Sequence, residues 1–402
     1  MAAVLPWLTL VGIGEDGVEG LSATARAAIG AAVLVMGGAR HLALARSLIR
    51  GEARPWPSPL AEGLPAILTR RGQPVVALAS GDPFCFGVGS LLAAEVPMAE
   101  ILCLPAPSAF TLASARLGWA MQNTATISFC GRPVAALRPL LQPGARILAL
   151  SADGTTPGIV AAHLRAWGFG ATQLTVLEAM GGPLEGRRGF GAEETAPDGL
   201  APLNVIALEV AGGSSLPLSP GLEEDWFETD GQITKREVRA ITLAALAPRR
   251  GERLWDIGAG SGSIGIEWML RHPAMRAIAV EARAYRAARI KRNAGTLGVP
   301  GLVVREGTAP AALERLPPPD AVFIGGGAGD AALRAACWDV LPSGGRLVIN
   351  AVTLETEQAV AACHAVWGGR LTRIGIERLE PIGGLQGFAP ARVVTQYRVV
   401  KP

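Results

Sequence analysis

Lysine is almost absent from this chain. Of 37 basic residues in 402, only Lys235, Lys291 and Lys401 are lysines, so arginine carries nearly all the positive charge. Charge of either sign is also scarce, at 18% of residues with a formal net of +3. Binding nucleic acid through counterion release needs a larger and more concentrated positive charge, so that class of partner is not expected. Cysteine is sparse and odd in number. Cys85, Cys103, Cys130, Cys337 and Cys363 are scattered with no CxxC pair, which argues against a disulfide framework and suits reduced thiols in the cytoplasm. The four histidines show no ligand spacing either, so no metal is expected. The longest apolar stretch, Ala27–Ala39, is broken by Gly30, Gly37 and Gly38 and falls short of the ~20 residues that span a bilayer. Met1–Gly14 is apolar without a basic leader and runs into Glu15 and Asp16, so it reads as a first β-strand rather than a signal peptide, and no membrane is expected.

What is present is apolar mass and glycine. Half of the residues are hydrophobic, and 51 glycines with 30 prolines punctuate them aperiodically, which suits a turn-rich α/β protein. Domains of ~100–200 residues predict at least two in this length. The run Ala211–Asp225, AGGSSLPLSPGLEED, lacks apolar periodicity and has the composition of a linker, giving domains at 1–212 and 226–402 around a linker at 213–225. Strand patterns at Leu8–Ile13, Val33–Met36, Val75–Ala79, Ile101–Leu104, Ile127–Phe129, Ile147–Leu150, Leu174–Leu177 and Val205–Val210 alternate with helical ones such as Ala23–Ala31 and Gly158–Trp167. In the second half, strands at Leu254–Ile257, Ala277–Val280, Leu302–Val304, Ala321–Ile324 and Arg346–Ile349 alternate with helices near Ser263–Arg271, Tyr285–Leu297, Ala331–Leu341 and Thr356–Trp367. The tail reads as two strands, Leu371–Leu379 and Ala391–Val400, joined by a loop. Alternating βαβ units predict open parallel sheets that bind ligands at the carboxyl ends of their strands.

The sharpest signal is Leu254-Trp-Asp-Ile-Gly-Ala-Gly-Ser-Gly-Ser-Ile-Gly265, an apolar strand entering a glycine loop that opens a helix. A dinucleotide loop is spaced GxGxxG, whereas here the spacing is GxGxG and Ser263 stands where the third glycine belongs. An acid, Asp256, precedes Gly258, Ala259, Gly260, Ser261 and Gly262, and a second acid, Glu281, closes the next strand, 19 residues after Gly262. Acids at these places suit a cationic ligand and its ribose hydroxyls rather than a pyrophosphate. The arrangement resembles the S-adenosylmethionine loop of class I methyltransferases. By that resemblance Thr308 and Ala309, after the third strand, contact adenine, and Thr234 lies near the cofactor, although Thr234 also reads as a helix N-cap.

The first half has no such loop. It carries Thr9-Leu-Val-Gly-Ile-Gly-Glu-Asp16, Val35-Met-Gly-Gly-Ala-Arg-His41, Ser80-Gly-Asp-Pro-Phe-Cys-Phe-Gly87, Pro105-Ala-Pro-Ser-Ala-Phe110 and Glu178-Ala-Met-Gly-Gly-Pro183. Singly these are weak, since Ser-Gly-Asp-Pro is a common turn. In order and spacing they resemble the tetrapyrrole methylase family, a two-subdomain α/β fold. Carried over, Gly81, Asp82 and Pro83 sit at the cofactor, and Gly12 and Gly14 near the tetrapyrrole.

The fusion resembles the bifunctional, decarboxylating methyltransferases of the corrin pathway. That resemblance implies S-adenosylmethionine at one site per domain, two methyl transfers to meso carbons of a reduced precorrin, and loss of an acetate carboxylate. It also implies a homo-oligomer. The electron-rich meso carbon is itself the nucleophile, so no Ser/His/Asp or Cys/His unit is needed and none is visible. Arginine suits a polycarboxylate ligand, so Arg236, Arg239 and Arg392 are candidate contacts, with Gly325, Gly326 and Gly327 leaving room for a large flat ring system. No acid for decarboxylation can be picked; His272, His364 and Glu355 are the available candidates. Three other readings stand beside this one: an RNA or protein methyltransferase with an accessory domain, a non-enzymatic tetrapyrrole carrier, and an NAD-dependent dehydrogenase. Near-neutral charge, the paired acids and the missing third glycine weigh against them in turn.

Overall fold

The computed structural model describes residues 6–402. The chain forms two compact units: one runs to Val134 and takes in Gln142–Ser214, and the other holds Ala135–Leu141 and Ser215–Pro402. The fold is mixed α/β, as the alternating pattern predicts.

In the first unit, β1 (Leu8–Ile13), β2 (Leu34–Gly37), β3 (Glu52–Pro55), β4 (Val75–Ser80) and β5 (Ile101–Leu104) form an all-parallel sheet in the order β3-β2-β4-β1-β5. The central strands are largely apolar because both faces are covered by crossover segments. One crossover helix, Ala23–Ala31, begins where the Ser22 hydroxyl accepts from the Ala25 N–H. The second sheet joins β6 (Thr124–Ser128), β7 (Arg146–Leu150), β8 (Gln173–Glu178), β9 (Gly186–Gly191) and β10 (Asn204–Glu209) in the order β6-β7-β10-β8-β9. Only the β6–β7 pair is parallel.

The second unit is built on one seven-stranded sheet. Its parallel part comprises β11 (Arg253–Ile257), β12 (Arg276–Glu281), β13 (Val303–Glu306), β14 (Ala321–Ile324) and β15 (Arg346–Ala351). Two antiparallel strands, β19 (Val394–Val400) beside β15 and β16 (Arg370–Ile374) at the edge, complete the order β13-β12-β11-β14-β15-β19-β16. Strand alternation sends Leu254, Ala277, Ala279 and Phe323 into one core and Trp255, Ile257, Ile278, Val280 and Val322 into the other. The tail differs from the sequence expectation. The predicted strand Leu371–Leu379 breaks after Ile374, and the predicted loop is a hairpin of β17 (Glu377–Ile382) and β18 (Leu385–Pro390). Gly383, with φ +60, opens its two-residue Gly-Gly turn.

Arg239, a candidate substrate contact on sequence grounds, belongs to this core instead. It and Glu267 have fully buried side chains joined at 2.6 Å. The remaining Arg239 donors reach the carbonyls of Thr234 and Leu222, and Glu267 accepts from the N–H groups of Gly221 and Leu222 at 2.7 and 2.9 Å. The pair therefore pins the strand of chain entering the unit to its first helix, Arg236–Leu246. Replacing Arg239 with Met leaves a carboxylate buried without its partner, and a loss of about 3–5 kcal/mol is expected in denaturant unfolding. A shift within about 0.5 kcal/mol, typical of a surface site, would contradict this placement.

Candidate functional site

At the carboxyl end of β11 the chain must turn sharply into the helix Ser263–Leu270. Gly258, Gly260 and Gly262 do so at φ +68, +60 and +80, where L-residues are strained. A Cβ on Gly258 would lie 2.9 Å from the Cα and N of Gly326, so the glycine loop after β14 packs backbone to backbone against the first. The two loops wall a cavity of about 900 Å³ at the carboxyl edge of the sheet. Thr234, Asp256, Gly258, Ala259, Gly260, Ser261, Glu281, Thr308, Ala309, Gly325, Gly326, Gly327 and Arg392 all line it.

Three residues named from sequence as cofactor or substrate contacts do not. Gly262 caps the helix, and a Cβ there would meet Ile290 at 2.7 Å, so it is needed for packing. Arg236 turns away to Glu223, at 2.9 Å, and to the Gly221 carbonyl, while Arg239 is buried as described. Thr234 is not the helix cap either; Lys235 occupies that position. His272, His364 and Glu355 lie outside the cavity lining.

The two acids hold different places in the cavity. Glu281 is tied to the loop, its carboxylate accepting from the Gly260 N–H at 2.9 Å and the Arg283 N–H at 3.0 Å. Asp256 is 1% exposed and accepts from the Gly265 N–H at 2.9 Å through one oxygen only; the other has no hydrogen-bond partner among the described residues. Burial pushes its carboxyl up to about 7, with Glu281 adding to the rise and the Gly265 bond opposing it. A buried carboxylate oxygen with no donor, under a glycine loop that lines the cavity, fits a ligand that brings positive charge.

The first unit has its own cavity, of about 490 Å³, reached from the ends of β1 and β4 and from the second sheet. Gly14 lines it; Gly12, Gly81, Asp82 and Pro83 do not. A Cβ on Gly12 would fall 1.8 Å from the Gly81 carbonyl oxygen and 2.5 Å from the Ala106 nitrogen, and one on Gly81 2.5 Å from the Pro107 oxygen. Gly12 is thus a crossing point of three chain segments, which corrects its assignment as a substrate contact. Asp82 caps its own turn, accepting from the Phe84 N–H at 2.8 Å. That turn delivers Phe86, at φ 55, edge-on to Phe110 with ring centroids 5.8 Å apart. At the cavity's polar end Arg40 pairs with Glu15 and donates to Ser80 and His41 at 2.7 and 2.8 Å. Burial, with the Arg40 charge, pushes the His41 imidazole down to about 4.

A family model for the precorrin methyltransferase domain matches residues 225–401, and one for tetrapyrrole (corrin/porphyrin) methylases matches residues 7–185. A precorrin-6Y C(5,15)-methyltransferase (decarboxylating) of Sinorhizobium sp is 55% identical over 403 residues, covering 100% of this chain and 98% of that protein. The chain belongs to this family. A member from Mycobacterium tuberculosis is 40% identical over 400 residues, spanning 98% of this chain and 100% of its own. The solved C-terminal domain of precorrin-6Y C5,15-methyltransferase from Rhodobacter capsulatus is 50% identical, covers 46% of this chain and 100% of its own, with a TM-score of 0.44.

As a member of the precorrin-6Y C(5,15)-methyltransferase family, the chain is an S-adenosylmethionine-dependent methyltransferase. Sequence reasoning missed several cavity residues in it. Lys235, Arg286, Asn350 and Arg378 line the second cavity, and Arg40, His41 and Ser80 line the first. Lys235 adjoins a named residue and was within reach. His41 and Ser80, 39 apart in sequence, meet at 2.8 Å only because β2 and β4 pair in parallel.

Proposed function

We propose that the chain methylates a precorrin at meso carbons 5 and 15 and removes one acetate carboxylate as carbon dioxide, with one cofactor site in each unit. The first unit acts at carbon 5, and the second at carbon 15 with decarboxylation. The observation that carries this reading is the second cavity, where a positive-φ glycine loop, Glu281 and the half-unpaired Asp256 converge beside a wide, glycine-walled space. S-adenosylmethionine supplies an electrophilic methyl group on a sulfonium. Glu281, held by two backbone N–H groups, keeps further lone pairs for ribose hydroxyls, and Thr308 and Ala309 flank the adenine. Lys235 and Arg392 offer cations to the substrate's acetates and propionates, whereas Arg378 is already paired with Glu237. Because the meso carbon is the nucleophile, these residues act by alignment and charge placement. The deciding experiment incubates the full chain with isotope-labelled S-adenosylmethionine and a reduced precorrin. A mass gain of two methyls with loss of carbon dioxide is expected; label appearing in RNA or protein instead would refute the reading.

Asp256 gives this site a pH signature. Its carboxyl is raised to about 7, so below that pH the free protein holds it protonated, and a cationic cofactor must drive the proton off. Cofactor affinity at the second site is expected to rise with pH up to about 7, by up to about tenfold per unit, and then level off. Calorimetry in two buffers of different ionisation enthalpy should register proton release at pH 6 and none in Asp256→Asn. The same raised pKa stabilises the free fold fully below the ordinary aspartate range, and that contribution fades as pH rises through 7.

A further inference from the structure

The wall of the second cavity carries a polar triad that neither cofactor binding nor ion pairing explains. Asn350 on β15 lies directly across from Gln396 on β19, and Thr242 of the helix Arg236–Leu246 closes the group. Thr242 and Gln396 are buried. The Thr242 hydroxyl donates to the Val238 carbonyl at 2.7 Å, so toward its other neighbours it can only accept. It accepts from Asn350 Nδ2 at 2.9 Å and from Gln396 Nε2 at 3.2 Å. Gln396 Nε2 also donates to Asn350 Oδ1 at 3.0 Å. These bonds fix which way the Asn350 amide faces. They also leave it one N–H to offer the cavity it lines. Burying Thr242 and Gln396 is tolerable only because these bonds satisfy them, and the result is a rigidly held Asn350.

From this triad we infer that Asn350 is the neutral donor that positions the departing acetate, so that carboxylate loss is separable from methyl transfer; the inference rests on the function proposed above. The chemistry favours a neutral group. As carbon dioxide leaves, the carboxylate charge moves away from its oxygens, so a cation on those oxygens holds the ground state more tightly than the transition state. A rigid neutral amide orients the group with a smaller penalty. Lys235 and Arg392, in the same cavity, are then left for carboxylates that must stay. In the step itself the bond between the acetate methylene and its carboxyl carbon breaks and carbon dioxide departs. The electron pair enters the substrate's own protonated conjugated ring system, and a solvent proton then converts the exocyclic methylene to a methyl group. No oxidant or reductant is required.

The test uses the full chain with a reduced precorrin and labelled cofactor, counting methyls and carbon dioxide in the same reaction, with melting followed alongside. In isosteric Asn350→Asp and in Asn350→Leu, carbon dioxide release is expected to fall by about tenfold or more, methylation at carbon 15 to fall several-fold less, and methylation at carbon 5 to stay within about twofold. A methylated product that keeps its carboxylate should accumulate. Gln396→Leu, which frees the amide but retains it, should lower carbon dioxide release less and leave substrate KM unchanged. Normal carbon dioxide release in all three variants, or a parallel fall of both activities, would overturn the inference. If the unmodified chain itself gains no methyl or releases no carbon dioxide, it is the proposed function that fails.

Discussion

Gly258→Ala is expected to lower methyl transfer by the second unit by about a hundredfold or more, while the first unit goes on methylating. Two costs coincide at this residue. The backbone stands at φ +68, and the new methyl would lie 2.9 Å from both the Cα and the N of Gly326. Neither neighbour is a side-chain end that can swing aside, so one glycine loop must move against the other. These loops line the same cavity as Glu281 and Thr308, and the first of them holds Glu281 through the Gly260 N–H. A shift near 1 Å at a positioning element costs on the order of a hundredfold. The positive-φ strain adds roughly 1–2 kcal/mol. The product is expected to carry one methyl and its full set of carboxylates. A doubly methylated product at the normal rate would show that the loop does not shape the second site. Gly260→Ala is the matched control, because its Cβ would meet only the Gln232 carbonyl, at 3.6 Å, so it isolates the backbone strain from the collision.

The contrast between these glycines shows what the sequence carries and what it does not. The spacing of Gly258, Gly260 and Gly262 after an apolar strand announces a turn at a sheet edge, and Asp256 and Glu281 announce the charge of its ligand. These are local signals, and so are the central parallel strands, buried on both faces and therefore largely apolar. Exposed edge strands have no such signature. Glu52–Pro55 is exposed at every residue and ends in proline, and Gly186–Gly191 reads Gly-Arg-Arg-Gly-Phe-Gly, so both β3 and β9 pass for loops. Both are edge strands, and neighbouring backbone defines them rather than side-chain alternation. Arginine roles were the least legible. Arg239 and Arg392 look alike in sequence, yet one is locked to Glu267 in the core and the other lines a cavity. What separates them is the third partner, a carboxylate on a different helix, and no spacing rule reaches that far. The Asn350–Gln396–Thr242 group is invisible for the same reason, since its members are 46 to 154 positions apart.

Gly12→Ala should have the largest effect on the first unit, and for a reason unlike that at Gly258. Gly12 is an ordinary β1 residue, paired in register with Ala79 of β4, and its backbone dihedrals are open to alanine. The obstacle is space alone. Its Cβ would sit 1.8 Å from the Gly81 carbonyl oxygen and 2.5 Å from the Ala106 nitrogen, and the chain already joins these segments, with Ala106 N–H donating to the Gly81 carbonyl at 3.2 Å. Relief requires the loop after β4 to part from β1, which breaks that bond and drags the Asp82 turn and Phe86 out of the cavity wall. Overpacking of this kind costs about 3 kcal/mol or more. In a unit of this size that corresponds to a fall of roughly 6–12 °C in its melting transition. Followed by calorimetry, the loss should fall on the first unit's transition and leave that of the second in place. The methylation assay should then mirror the Gly258 result, with methylation at carbon 5 lost and carbon dioxide still released from any precorrin already methylated there. Were Gly12→Ala to melt and methylate as the unmodified chain does, the three-segment crossing could not be what holds the first cavity open.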